Sequence, residues 1–231
     1  METKLSKRLA AVAAYVPKNS RLADVGSDHA YLPLFLVEKG HIDFAVAGEV
    51  VQGPYQSALA NVTQASKQEQ IQVRLANGLA AINSSDQIDT ITIAGMGGRL
   101  IADILSAGMD KLANVQRLIL QPNNREDELR IWLEENGFQI VAEEMVVENQ
   151  KFYEILVVEQ GQMTLNQLEK RFGPYLMQEK SADFIAKWQN EARKLSQSLE
   201  KVPSDHQDDI TLLREKIKAI KEVLDVSSSS D

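Results

Sequence analysis

FQIVAEEMVVENQKFYEILVV, running from Phe138 to Val158, decides the fold of this 231-residue chain. Two apolar, β-branched runs, Phe138–Val147 and Phe152–Val158, are separated only by Glu148-Asn149-Gln150-Lys151. Four residues cannot carry the chain back across a sheet to make a parallel neighbour, so these strands are antiparallel. Everything upstream has the opposite character. Short apolar runs at Arg21–Val25, Ile42–Ala47, Ile71–Leu75, Ile88–Ala94 and Val115–Leu120 alternate with helical patterns, which predicts a parallel sheet. A doubly wound sheet finished by one reversed strand is therefore the expected α/β architecture.

The helices between the strands carry their own punctuation. Leu5, Leu9, Val12 and Val16 share one face of a first helix that Pro17-Lys18-Asn19-Ser20 stops. A second helix begins at Ala30, holds Pro33 in its first turn where a missing N–H does no harm, and is capped by Gly40. Pro54 opens a third through Ala58, Leu59 and Val62; Leu100, Ile101, Ile104 and Leu105 mark a fourth; Leu129 to Leu133 lies in a fifth that Asn136-Gly137 ends.

From Leu165 onward strands disappear. Phe184, Trp188, Ala192, Leu195 and Leu199 line one helix, Pro203-Ser204-Asp205 turns the chain, and Ile210, Leu213, Ile217, Ile220 and Leu224 repeat the pattern at heptad spacing. That is an α-helical coiled-coil hairpin. The expected organisation is an α/β domain over 1–160, a helical coiled-coil domain over 161–226 and a disordered tail over 227–231.

Composition narrows the function classes. Without cysteine there is no disulfide or thiolate metal site, and three separated histidines (His29, His41, His206) make no His-rich metal site either. No long uncharged apolar run exists, and the N-terminal residues lack a signal-peptide core, so a cytoplasmic protein without membrane spans is expected. The net charge of -8 weighs mildly against nucleic acid as a partner.

The ligand is read from LADVGSDHAYLP, Leu22 to Pro33, where a strand feeds a tight turn and a helix. A G-x-G-x-x-G register starting at Gly26 puts Asp28 and Tyr31 where later glycines should stand. Asp28 would face a pyrophosphate at a cost of several kcal/mol, even at an effective dielectric constant of about 20. NAD and FAD are thereby disfavoured. S-adenosylmethionine has no phosphate and carries a cationic ammonium and sulfonium, which Asp24 and Asp28 suit. Glu49, closing the second strand, suits a ribose diol. The alternatives remain that Asp24 or Asp28 caps the next helix, that Glu49 is an exposed strand-end carboxylate, that Asn77 is a positive-φ turn residue, and that Gly95-Met96-Gly97-Gly98 is a turn without a ligand. Against them stands position: each feature closes a consecutive parallel strand, where open α/β sheets bind ligands.

Taken with Ala47-Gly48-Glu49-Val50-Val51-Gln52-Gly53-Pro54, Asn77-Gly78-Leu79, Ala94-Gly95-Met96-Gly97-Gly98, Leu120-Gln121-Pro122-Asn123 and Lys151-Phe152-Tyr153-Glu154, this stretch resembles the bacterial TrmK family over essentially the whole chain. Those are class I methyltransferases acting on N1 of the adenine at tRNA position 22. The resemblance implies a Rossmann-like seven-stranded sheet with an antiparallel last strand and S-adenosylmethionine as cofactor. The methionine end would lie near Asp24, Gly26, Ser27, Asp28 and His29. Glu49 would take the ribose and Asn77 with Gly78 would edge the adenine, while Val50, Ala94, Gly95, Met96 and Gly97 complete the expected cofactor-binding residues. Asn77 stands where many methyltransferases have Asp. The chain also lacks the Asn- or Asp-Pro-Pro-aromatic motif of many amino-group methyltransferases, which suits a ring-nitrogen target.

Adenine N1 has its own lone pair, so alignment and dryness matter more than a strong base. Asp28, His29, Tyr31 and Asn123 are the residues expected around the transferring methyl, with Tyr31 equally readable as core packing. For tRNA as partner the local charge is more favourable than the total. Residues 162–226 hold 11 basic and 11 acidic side chains, whereas 1–161 hold 14 and 21. Lys187, Arg193, Lys194, Lys201, Lys216, Lys218 and Lys221 could form a stripe, and Lys4, Lys7 and Arg8 a second patch; the competing reading is a solvated face or a dimer seam. A monomer or weak dimer is expected. The alternative function is a small-molecule methyltransferase that dimerises through the coiled coil, and a third is a non-catalytic cofactor- or tRNA-binding protein.

Overall fold

The computed structural model describes residues 3–225. It divides into two compact units, Met1–Thr164 and Leu165–Asp231. The expected tail, 227–231, lies outside the described residues.

The first unit holds seven strands: β1 Arg21–Val25, β2 Phe44–Glu49, β3 Ile71–Leu75, β4 Thr90–Met96, β5 Arg117–Pro122, β6 Phe138–Glu148 and β7 Lys151–Gln160. They form one sheet in the order β3-β2-β1-β4-β5-β7-β6. The strands from β1 to β5 pair parallel. β7 runs antiparallel to both β5 and β6, between them, as the hairpin demands. Its connection is tighter than expected. Glu148 and Lys151 pair, which leaves a two-residue turn, Asn149 (φ 49°) and Gln150 (φ 62°). Two successive positive φ values match the turn to the twist of the strands.

The helices of this unit are α1 Lys7–Ala14, α2 Tyr31–Glu38, α3 Gln52–Gln64, α4 Gly98–Ala107 and α5 Glu126–Glu135. Ser6 caps α1 by accepting from the Leu9 N–H, so the helix starts two residues after Leu5. Val12 and Val16 join Leu32, Leu36, Ala45, Ala58 and Ile71 in a continuous apolar core that binds α1, α2 and α3 to the sheet. β1, β2 and β5 are close to fully buried, as parallel strands covered on both faces require, whereas the edge strands β3 and β6 are only partly buried. The chain leaves β1 outward to β2 and β3, then returns to place β4 on the other side of β1. The carboxyl ends of β1 and β4 therefore flank the switch point where such sheets bind ligands.

One charged cluster lies inside the apolar interior. Arg130 of α5 is fully buried and donates through Nε and Nη2 to Glu143 of β6 at 2.9 and 2.7 Å, and through Nη2 to Glu154 of β7. It ties the helix to both strands of the hairpin.

In the second unit α6 (Gln167–Phe172) and α7 (Pro174–Glu179) precede two long helices, α8 (Ala182–Leu199) and α9 (Gln207–Asp225), that pack together. The two short helices have no heptad signal. They are set by local chemistry instead, an Asn166/Glu169 capping box and Pro174 after Gly173. Phe172, Phe184 and Trp188 form an aromatic cluster, with ring centroids 4.4 Å apart for Phe172–Trp188 and 6.3 Å for Phe184–Trp188. No helix among the described residues is long and apolar enough to cross a membrane.

Arg130→Met is expected to lower the unfolding free energy by about 3–5 kcal/mol in urea titrations, because two buried carboxylates lose their countercharge.

Candidate active site

After Val25 the backbone leaves regular structure for five residues. Gly26 has φ +69°, and Asp28, His29 and Ala30 follow with φ +43°, +70° and +60°. Three successive left-handed residues that are not glycine cost about 1–2 kcal/mol each, a conformation that persists only where neighbours over-determine it. The neighbours are the end of β2. The N–H groups of Gly26 and Ser27 both donate to the Gly48 carbonyl, at 2.9 and 3.1 Å, and the Asp28 N–H donates to the Glu49 carboxylate. α2 consequently starts at Tyr31, one residue later than expected, and no side chain caps it. Helix capping therefore accounts for neither Asp24 nor Asp28.

Asp24 is buried in β1. Its two oxygens accept from Ser27 Oγ and Thr92 Oγ1, each at 2.6 Å. Thr92 reaches it because the β1–β4 register sets the two residues side by side. Burial pushes the Asp24 carboxyl above the usual carboxylate range, opposed by those two hydrogen bonds and by the Arg8 charge. Glu49 is likewise buried at 5% exposure, so it is no solvated strand-end acid. Burial raises its pKa too, against the Asp28 N–H, and its Oε1 has no hydrogen-bond partner among the described residues.

A cavity of about 300 Å³ opens at the switch point, lined by Arg8, Leu9, Asp24, Gly26, Ser27, Asp28, Ala94, Gly95, Met96, Asn123 and Tyr153. Gly26 suits its place there, since its φ is positive and a Cβ would lie 2.2 Å from Met96 Cε and push the end of that side chain aside. The β4 wall is bent by a bulge between Ala94 and Met96 and by Gly95 at φ +81°. Buried Gln121 holds that bend. Its Oε1 accepts from the Gly95 N–H at 3.0 Å and from Arg8 Nη1 at 2.5 Å, and its Nε2 donates to Pro122 O and to Asn123 Oδ1. Asn123 Nδ2 in turn donates to the Gly95 carbonyl at 2.7 Å.

A second cavity, of about 520 Å³, is lined by Asn77, Gly78, Leu79, Leu100, Ile104 and Gly108 among others. Asn77 has φ −86°, so a left-handed turn is not its role. Val50, beyond Glu49, is 63% exposed. Gly97 precedes α4 as its N-cap. Of the four residues expected around the methyl group, the first cavity brings together Asp28 and Asn123. His29 and Tyr31 lie outside that lining and pack on each other, with ring centroids 5.5 Å apart. The sequence reading missed Thr92 and Tyr153, and it put Arg8 in a basic surface patch. In fact Lys7 Nζ bonds the Val147 carbonyl, and Arg8 turns into the cavity. A polar residue inside an apolar strand was the available signal for Thr92; Tyr153 stood only within the Lys151–Glu154 motif of the resemblance, and Arg8 gave none.

The strand order, the inserted antiparallel strand and a polar cavity at the switch point define a class I methyltransferase. The chain belongs to the TrmK family, tRNA (adenine(22)-N(1))-methyltransferase, whose sequence model matches residues 22–222. The tRNA (adenine(22)-N(1))-methyltransferase of Bacillus subtilis (strain 168) is 39% identical over 238 residues, covering 97% of this chain and 98% of that protein. A Streptococcus pneumoniae protein proposed to be the corresponding tRNA methyltransferase is 61% identical, with a TM-score of 0.95 over 96% of this chain and 100% of its own. The same protein in complex with S-adenosyl-L-methionine gives a TM-score of 0.90 over the same shares.

Folded Asp24 holds its proton more tightly than the ordinary carboxyl value of 3.8. Its ionisation therefore costs the free protein nothing at pH below that value and the full amount above the raised pKa. Asp24→Asn is expected to raise the thermal midpoint of the free protein relative to wild type at pH 8, and to lose that advantage towards pH 4, in scanning fluorimetry at both pH values.

Proposed function

We propose that this protein transfers a methyl group from S-adenosylmethionine to N1 of adenine 22 in tRNA, with the cofactor held across the ends of β1, β2 and β4. The observation that carries the site assignment is Glu49 Oε1, buried and without a partner at the end of β2. A ribose diol supplies the two O–H donors that such a carboxylate lacks. Asp24 and Asp28 supply the negative charge that an ammonium needs, and Val50 an exposed apolar surface beside the ribose site. Asn77 and Gly78, lining the second cavity, edge the adenine. Gly95, Met96 and Gly97 complete the wall on the β4 side.

The cofactor supplies an electrophilic methyl group on a sulfonium sulfur. The chain's own task is to align adenine N1 with it and keep water out. The N1 lone pair forms the new bond without prior loss of a proton, so the site needs no general base. Asn123 fits that chemistry, because its amide is bonded at both ends, to Gly95 and to Gln121, and fixes the wall. Asp28, whose side chain is 81% exposed at the cavity, stabilises the positive charge that the base acquires. His29 and Tyr31 stand beside the entrance as an aromatic pair on which an extruded base can stack. In the helical unit the exposed Arg193, Lys194, Lys201, Lys218 and Lys221 provide the phosphate contacts.

Purified protein should transfer labelled methyl to bulk tRNA and not to a metabolite extract, and the product should map as N1-methyladenosine at position 22. Transfer to the metabolite extract alone would overturn the assignment. Glu49→Gln should raise the KM for the cofactor about ten- to a hundredfold while kcat at saturation changes less, read from steady-state kinetics. Charge reversal at Lys194 and Lys218 should weaken tRNA binding and flatten its salt dependence; unchanged values would remove the helical unit from the interface.

A further inference from the structure

Tyr153 lines the cavity and Glu154 is buried against Arg130, but Lys151, which opens the same strand, is exposed and has no ion pair among the described residues. Its place is set by the length of the β6–β7 hairpin. β7 pairs with β5 as far as Leu156 opposite Leu120, and β5 ends at Pro122. The hairpin runs on from Leu156 to its turn at Asn149-Gln150. By that register Pro122 is level with Glu154, so Lys151 stands about 10 Å beyond the end of β5, above the edge where the cavity opens. Lys151 and Tyr153 are two apart on one strand and face the same side, the side on which Tyr153 lines the cavity.

Lys7 joins Lys151 at this place. At the start of α1 its N–H donates to the Glu148 carboxylate at 2.6 Å and its Nζ to the Val147 carbonyl at 3.1 Å, which ties the helix to the hairpin tip. Glu148 is thereby engaged at a helix N-terminus, where negative charge is favoured. Lys7 is exposed and, like Lys151, has no carboxylate partner for its side chain among the described residues. Arg99 and Arg125, near the same edge, instead pair with Glu128 at 3.9 and 2.6 Å. The exposed acid of the cavity, Asp28, follows β1, three strand spacings or about 14 Å from β7. The mouth is therefore acidic over β1 and basic over the hairpin.

We propose that Lys7 and Lys151 bind the phosphate backbone of the tRNA beside the adenine that enters the cavity, so that the hairpin tip holds the strand while the base turns towards Asp28. The inference rests on the tRNA reading given above and adds to it a contact surface on the α/β unit, which is acidic as a whole. Two ammonium groups on flexible stems suit phosphates as point charges. Contacts of this kind position a substrate without reading its sequence, and the cavity is left to choose the base.

The test is binding of the full chain to an unmodified tRNA transcript with adenine at position 22, by fluorescence anisotropy across a salt series, with calorimetric titration of S-adenosylmethionine alongside. Lys7→Gln combined with Lys151→Gln should weaken tRNA binding about tenfold or more at about 0.1 M salt. The slope of log affinity against log salt should fall by about 1.4–1.8, because each lost phosphate contact removes about 0.7–0.9. Cofactor affinity should stay within about twofold. Lys151→Gln alone leaves the Lys7–Val147 bond in place and should show about half the slope change, and Lys151→Arg should restore the wild-type slope. A double variant with wild-type affinity and slope overturns the proposal. So does weaker binding with an unchanged slope, which makes the hairpin a matter of shape, and so does an equal loss of cofactor affinity, which assigns the lysines to the cavity wall. Wild-type protein that binds no tRNA overturns the tRNA reading itself and this inference with it.

Discussion

The geometry of the site depends on one buried carboxylate. Asp24 sits inside a parallel sheet, where an ionised group without donors would be expelled or neutralised, and it is kept by Ser27 from the turn and Thr92 from the adjacent strand. Those two hydroxyls join the turn after β1 to β4, the strands between which the chain reverses its order across the sheet. The left-handed run from Asp28 to Ala30 is then pinned from the other side by Gly48 and Glu49. The loop is held in a costly shape before any ligand arrives, so binding does not have to order it.

The two buried acids at the strand ends and the buried Arg130 cluster follow different logics. Arg130 meets Glu143 and Glu154 inside the protein, and the cluster locks α5 onto the hairpin. Among the described residues Asp24 and Glu49 have hydroxyl and N–H donors but no guanidinium hydrogen-bonded to them, and both hold their protons more tightly than exposed carboxylates. Structural charge is paired within the fold. In the proposed function, a cation and a diol complete the charge of the site. A ligand that sets an ammonium group beside Asp24 would favour its ionised form.

The fold was legible because its signals are local. Alternating strands and helices gave the parallel sheet, and the four residues between Val147 and Phe152 gave the reversed strand, although strand ends moved by up to two residues. The strand-end positions Asp24, Gly26, Glu49 and Gly95 were legible for the same reason: parallel topology collects successive strand ends at one edge. Arg8 and Tyr153 were not. Arg8 comes from α1, which reads in sequence only as an amphipathic helix, and Tyr153 from β7, which is far from β1 in sequence and brought to the same sheet only by the strand order. Thr92 became readable only once the β1–β4 register set it beside Asp24. The α6 and α7 helices were missed because each has only six residues, too short for a periodicity.

The place of β7 has a consequence for how the protein is made. It is the last strand of the sheet in the chain, yet it occupies an interior position between β5 and β6. Until residues near 160 have left the ribosome, β5 is an open edge whose free N–H and C=O groups can pair with any other extended chain. The two-residue turn at Asn149-Gln150 lets the hairpin close quickly on itself and arrive as a unit, covering that edge in one step. Tyr153 comes with it, so the wall of the cavity is finished by the same event that makes the nascent chain safe from aggregation.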